Sequence, residues 1–163
     1  MENACLYESP LGTVIIKSDG NALTYLGFTE EGYAAGYGTE DPVLRSCLEW
    51  LDIYFGGSPP PFTPPLNAHS TPFRERVWEM LLTIPYGTVT TYGELAKRLE
   101  EKYGRRCSAR AVGGAVGSNP VSLIIPCHRV VGTGGNLTGF GWGLERKRWL
   151  LELEAHERGR EIS

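Results

Sequence analysis

The stretch Gly56-Gly57-Ser58-Pro59-Pro60-Pro61, followed closely by Pro64-Pro65, constrains this chain more than any other. Proline removes a backbone donor and fixes φ, so neither a helix nor a central strand can run through such a segment. It reads as a semi-rigid linker and a domain boundary. The chain is therefore expected to fold as two pieces, residues 1–66 and 67–163. At 163 residues and 41% hydrophobic content it has enough apolar material for one compact unit or two small ones sharing an interface. The longest apolar runs, such as residues 121–125, are too short to span a bilayer. Met1-Glu2-Asn3-Ala4-Cys5 lacks the basic start and apolar core of a secretory signal. A soluble intracellular protein is expected.

The first piece reads as mixed α/β. Thr13-Val14-Ile15-Ile16 and Leu23-Thr24-Tyr25-Leu26-Gly27-Phe28 flank the turn signal Ser18-Asp19-Gly20-Asn21, which predicts a β-hairpin over 11–28. A Gly/Tyr-rich stretch follows. Then Val43, Leu44, Cys47, Leu48, Leu51, Tyr54 and Phe55 recur at helical spacing and predict a helix near 42–55.

The second piece is mostly helical. Thr71-Pro72 supplies a cap and a first-turn proline, with Val77, Trp78, Leu81 and Ile84 on the buried side and Pro85-Tyr86-Gly87 as the stop. Thr91-x-x-Glu94 has the form of a capping box opening a helix over about 91–101. A turn containing Gly104 leads to a second helix, about 107–117. Two short helices joined by a turn suggest a helix-turn-helix. That second helix, Ala109-Arg110-Ala111-Val112-Gly113-Gly114-Ala115-Val116-Gly117, is nearly all small residues, and each interior glycine costs about 1 kcal/mol. Either a neighbouring helix or something bulky outside the protein approaches its backbone closely. It lacks the pattern of a phosphate loop. Leu123-Ile124-Ile125 reads as a buried strand leading into Pro126-Cys127-His128-Arg129-Val130-Val131, then a Gly-rich loop, then a final helix from about 144 to 156 with Trp149, Leu150 and Leu153 facing the core.

Charge and cysteine usage narrow the chemistry. The net charge of −3 argues against a general nucleic-acid sponge, yet Lys97, Arg98, Lys102, Arg105, Arg106 and Arg110 crowd one stretch. Either they form a solvated face or they contact phosphates. The 4 cysteines, Cys5, Cys47, Cys107 and Cys127, show no paired spacing, and only His69, His128 and His156 could join them, so no metal site is expected. A cysteine is by default a small buried hydrophobe. Cys127, between a proline and a histidine, departs from that default. Its thiolate would be the nucleophile, and His128 could serve as base, directly or through one water. Neighbours on an extended chain point to opposite faces, which favours the water-bridged arrangement.

Pro126-Cys127-His128-Arg129-Val130 resembles the active-site signature of the O6-alkylguanine-DNA alkyltransferases. The similarity extends through Thr71-Pro72-Phe73, Val77-Trp78, Ile84-Pro85-Tyr86-Gly87 and Thr91-Tyr92-Gly93-Glu94-Leu95-Ala96. Ala109 to Ala115 is similar to that family's recognition helix, Asn119-Pro120 to its hinge, and Gly143-Leu144, Lys147, Trp149-Leu150-Leu151 and Glu154 to its last helix. The match covers about 71–156; residues 1–66 match more weakly.

The resemblance implies an N-terminal α/β domain of ribonuclease-H-like topology in a supporting role. A mostly helical C-terminal domain with a winged-helix-like helix-turn-helix would follow it. It implies irreversible, one-for-one transfer of a methyl or other alkyl group from O6 of guanine to Cys127, with O4 of thymine as a second candidate lesion. Cys127 would accept the alkyl group, His128 would activate it through a water, Glu154 would polarise His128, and Asn119 would organise that network. Arg110 would fill the stack vacated by the flipped nucleotide, and Tyr92 would assist extrusion. Ala111, Gly113 and Gly114 would let the helix enter the minor groove. The carbonyls of Cys127 and Val130 would accept from the guanine amino group, with Phe140, Gly141 and Lys147 near the pocket. Duplex DNA is the implied partner and no cofactor is implied; a monomer, for want of an obvious assembly signal, in the cytoplasm (or nucleus, in a eukaryote) is expected from the sequence itself.

Three features depart from the family pattern. Phe140 stands where tyrosine is common, Gly141 and Trp142 lie in a variable loop, and the 100–107 turn is longer. Three rival classes remain to be separated. A non-catalytic lesion sensor would lack Cys127. A cysteine hydrolase would usually place Cys and His far apart in sequence. A plain DNA-binding regulator would not need Pro126 to Val130.

Overall fold

In the computed structural model, residues 2–30, 40–137 and 140–162 are described, the last six of them by backbone alone. The Gly/Tyr-rich stretch, apart from Glu40, and Gly139 of the Gly-rich loop lie outside the described residues. The chain divides into two compact units. The first is Met1–Ala68 together with Pro120–Ser122; the second is His69–Asn119 with Leu123–Ser163. The brief return of the chain to the first unit at Pro120–Ser122 has no counterpart in the linear division at residue 66.

The first unit is an antiparallel sheet of β1 (Asn3–Ser9), β2 (Gly12–Ser18) and β3 (Leu23–Phe28), in that order, with helix α1 (Pro42–Phe55) packed on β1 and β2. Asn3 pairs with Ser18 and Ser9 with Gly12, so β1 is a full partner that the hairpin expectation left out. Asp41 caps α1 by accepting from Val43 N at 2.8 Å, and Pro42 supplies the first-turn proline. Val43, Leu44, Cys47, Trp50, Leu51 and Tyr54 form its buried face; Trp50 takes the core place expected for Leu48 and Phe55. On the far side, β3 receives the returning chain. Leu26 N donates to Pro120 O at 2.9 Å, Ser122 N donates to Leu26 O at 3.0 Å, and Leu26 and Val121 form a parallel bridge.

The second unit is built from α2 (Pro72–Leu81), α3 (Tyr92–Tyr103), α4 (Ala109–Gly117) and α5 (Leu144–Ile162), with a short parallel pair, β4 (Thr90–Thr91) and β5 (Val130–Val131). Each of the first three helices starts at the hydroxyl the sequence offers: Thr71 accepts from Arg74 N, Thr91 from Glu94 N and Ser108 from Ala111 N. These caps satisfy amide groups that have no partner inside the helix. Gly104, at φ 69°, ends α3 in the left-handed conformation that a side chain would resist. Helices α2, α3 and α4 pack against one another, and Trp78 Nε1 donates to Ala115 O at 2.8 Å, locking α2 to α4. Among the described residues no helix is long and apolar enough to cross a membrane.

The strand expected at residues 123–125 is not there. Residues 121–131 are buried without exception, but 122–125 form turns, with Leu123 at φ 72°. A buried apolar run cannot be assigned to a strand by periodicity alone. Here the Ile125 carbonyl is taken by the Asn119 side chain at 2.8 Å, not by a neighbouring strand. A left-handed leucine costs about 1–2 kcal/mol, which the surrounding burial must offset.

Candidate active site

Cys127–Arg129 form one turn of 3-10 helix directly after Pro126. Cys127 N donates to Ile125 O at 2.8 Å and Arg129 N to Pro126 O at 3.0 Å, so the turn is closed on its own backbone. It is not the extended segment assumed for the Cys127–His128 pair. Immediately after it, β5 pairs with β4, with Thr90 opposite Val130 and Thr91 opposite Val131. The reactive turn is thus joined to the strand that feeds α3 and Tyr92.

Helix α5 passes behind this turn and presents Lys147, Leu150 and Glu154 to it, all essentially buried. Spacings of three and four residues put them on one helical face. The expected core residues Trp149 and Leu153 are only half-buried. His128 Nε2 lies 2.5 Å from Glu154 Oε2, and Lys147 Nζ donates to Val130 O at 2.5 Å. The Cys127 carbonyl holds the Val130 amide and the Val130 carbonyl the Lys147 ammonium, and a carbonyl oxygen can accept more than one donor.

Arg129 was not singled out from the sequence. It is 8% exposed, donates through Nε to Glu154 Oε1 at 2.7 Å and through Nη1 to Ile84 O at 2.8 Å. Glu154 Oε1 also accepts from Gly87 N at 3.2 Å. The available signal was a lone cation inside an apolar run, which demands a buried acidic partner.

Burial alone would raise the Glu154 carboxyl, but the facing His128 and then Arg129 outweigh it and hold the group at about 2. Burial pulls His128 below the usual histidine value, against the pull of Glu154; Arg129 and Lys147 push the same way as burial. Near neutrality the pair is a carboxylate and a neutral imidazole. Nε2 then carries the hydrogen given to Glu154, and Nδ1 is the basic nitrogen. Burial also lowers the Lys147 ammonium, while negative charge on Cys127 raises it. Burial pushes the Cys5, Cys47 and Cys107 thiols up, which keeps them protonated. The setting around Cys127 suits removal of a thiol proton and stabilisation of the thiolate.

A second group faces outward. Arg110, Ala111 and Gly114 are exposed on α4, and Gly113 is half-buried. A methyl built at Gly113 would stand 3.7 Å from Tyr92 Cδ1, so the Tyr92 ring lies along this helix. A methyl at Gly114 would meet nothing within 4 Å. Phe140 is half-buried and Gly141 exposed, in the turn that closes with Gly143 N on Phe140 O at 3.1 Å. Among the described residues no cluster of three metal-ligating side chains occurs.

Residues 72–156 match the family model described as the DNA-binding domain of 6-O-methylguanine DNA methyltransferase, and residues 5–68 match its ribonuclease-like domain. The methylated-DNA–protein-cysteine methyltransferase of Haemophilus influenzae is 45% identical over 153 residues, covering 91% of this chain and 83% of that protein. Among solved structures, the O6-methylguanine methyltransferase of Mycobacterium tuberculosis superposes with a TM-score of 0.83 at 39% identity, covering 96% of this chain and 94% of that one. The same organism's protein in complex with DNA gives 0.82 at 39% identity, with 94% and 93% covered. The chain belongs to the 6-O-methylguanine DNA methyltransferase family.

Proposed function

We infer that this protein repairs DNA by moving the alkyl group from O6 of guanine onto Cys127 Sγ, one lesion per protein molecule. The observation that carries the reading is the buried hydrogen bond between Glu154 of α5 and His128, which shares one turn with Cys127, with the buried Lys147 ammonium held on the Val130 carbonyl. His128 Nδ1 takes the thiol proton through a water, and Glu154 stabilises the imidazolium that forms. Lys147 favours the thiolate. Sulfur attacks the alkyl carbon, the carbon–O6 bond breaks with its electrons going to guanine, and guanine takes up the proton. The product thioether has no bond that water readily cleaves, so the protein is consumed.

The base must leave the duplex before it can reach a buried thiol, at a cost of a few kcal/mol. Arg110, exposed on α4, stacks into the vacated space, and Tyr92 beside it assists extrusion. Ala111, Gly113 and Gly114 keep the helix surface low enough for the minor groove. Asn119 holds the turn before Cys127 through the Ile125 carbonyl. The second lone pairs on the Cys127 and Val130 carbonyls receive the guanine amino group, and Phe140 and Gly141 border the pocket. Residues 67–163 carry binding and transfer, and residues 1–66 support them. A ribonuclease-H-like topology for the first part and a winged-helix-like arrangement of α2–α4 with β4 and β5 agree with the layout of elements. A genomic DNA substrate puts the protein inside the cell.

Mass spectrometry tests this after incubation with duplex DNA containing O6-methylguanine. The wild-type chain should gain one methyl group on the Cys127 peptide, stoichiometrically and without turnover. Cys127→Ser should gain nothing yet still retard the duplex in a gel. Methylation of any other residue, or multiple turnovers, would overturn the assignment.

A further inference from the structure

We propose that Arg129 is a positioning residue of the transfer reaction: it pins Glu154 Oε1 to the Ile84 carbonyl so that Oε2 stays aimed at His128 Nε2. The proposal rests on the reading of Cys127 as alkyl acceptor and His128 as its base.

Glu154 divides its oxygens. Oε1 is gripped by Arg129 Nε at 2.7 Å and by Gly87 N at 3.2 Å, while Oε2 meets His128 at 2.5 Å. A carboxylate held at one oxygen by two donors cannot rotate, so the imidazole it holds keeps one orientation and one tautomer. Arg129 has two anchors of its own: Nη1 reaches the Ile84 carbonyl at 2.8 Å, and its Cζ lies 5.6 Å from the Tyr86 ring centre. Ile84, Tyr86 and Gly87 belong to the segment leading into β4, whose partner β5 follows Arg129 directly. The clamp therefore ties the relay to the same segment from two sides.

Stability alone does not account for a guanidinium here. Desolvating a buried ion pair costs so much that well-packed apolar residues often do as well or better. What an apolar replacement cannot do is fix a carboxylate in rotation. Arg129 also acts on charge. Among the described residues, the charged groups acting on His128 include Glu154 and Lys147 from α5 and Arg129 from its own turn. Of these, Arg129 holds Glu154 ionised and opposes protonation of His128.

Arg129→Lys and Arg129→Met separate the two effects. Lysine keeps the charge but has one donor centre where two acceptors need reaching. Its single-turnover rate on O6-methylguanine duplex should fall roughly ten- to hundredfold, as when a group that orients a functional histidine is removed. The acid limb of its pH–rate profile should stay in place. Arg129→Met should fall further, with the acid limb moved to higher pH, because both Glu154 and His128 then bind protons more readily. Nitrogen NMR of His128 in the unalkylated proteins should show a single Nε2–H tautomer in wild type and a mixture in Arg129→Met. Should Arg129→Met fail to fold, Arg129→Lys decides. A wild-type rate in the lysine variant, or a loss no larger than its unfolded fraction, would overturn the proposal. A wild-type protein that gains no methyl group would instead overturn the functional reading, and the NMR comparison would still judge the clamp.

Discussion

Glu154 and His128 cannot be treated as two independent contributors, because the bond between them sets the imidazole tautomer and helps hold the carboxylate ionised. Removing either leaves the other unable to serve: without Glu154 the imidazole loses its tautomer, and without His128 no base is placed beside Cys127. Their losses should therefore not add. The double variant Glu154→Gln/His128→Ala should transfer little more slowly than the worse single variant; fully multiplicative losses would break the relay. The pH dependence follows from the same burial. A base works only when neutral, and burial lowers His128 from its ordinary 6.5. The wild-type single-turnover rate should thus fall to half its maximum only below pH 6.5. A half-maximal point at or above 6.5 would contradict a buried neutral His128. At this scale Cys127, His128 and Glu154 were legible because a short motif and one downstream acid carry them. Arg129 was not, because its partners, Ile84 O and Glu154 Oε1, lie 45 and 25 positions away and one of them is backbone.

The starts of α2 and α3 were readable because each is a local event: Thr71 and Thr91 cap their helices within three residues of themselves. The turns at 122–125 were not, since their conformation depends on Asn119 and on what surrounds Leu123, neither of which has a periodic signature. Helix α4 shows how structure decides what sequence leaves open. Its glycines could answer either to a neighbouring helix or to something outside the protein. Gly113 has Tyr92 at its side, but among the described residues outside the helix's own backbone nothing lies within 4 Å of a methyl at Gly114 or Gly117. Packing among the described residues does not explain Gly114; the close approach of DNA proposed above would. Gly114→Ala should accordingly raise stability by about 0.5–1 kcal/mol, since alanine fits the helix without strain. It should nonetheless slow repair in duplex DNA. Arg110→Ala should slow it more, through loss of the stacking group. Free O6-methylguanine base needs no extrusion, so both variants should react with it at the wild-type rate. Equal losses on both substrates would remove α4 from its role in DNA binding.

On the scale of the whole chain, the Pro-rich segment marks where the first run of the N-terminal unit ends but is silent about the chain's return at Pro120–Ser122. That return is made by backbone bonds to Leu26, which any sequence could make, and by Val121, which is fully buried. Its position gives it weight. Asn119, which holds the Ile125 carbonyl, lies just before the three residues, and Leu123, in its left-handed conformation, just after. Asn119 and Leu123 thus flank the three residues seated on β3. Val121→Ala tests this against Val14→Ala, which empties an equally buried site in the same unit, on β2. Each should cost about 2 kcal/mol from lost burial and the cavity left behind. In a chain of this size that lowers Tm by roughly 5 °C. Their rates should differ even so. Measured well below both melting points, Val14→Ala should transfer at the wild-type rate, because Val14 is not joined in sequence to Asn119 or Leu123. Val121→Ala should be slower, because Asn119 and Leu123 lose their common anchor. Matched rates in the two variants would mean that β3 only stores stability and that the reactive turn keeps its shape without it.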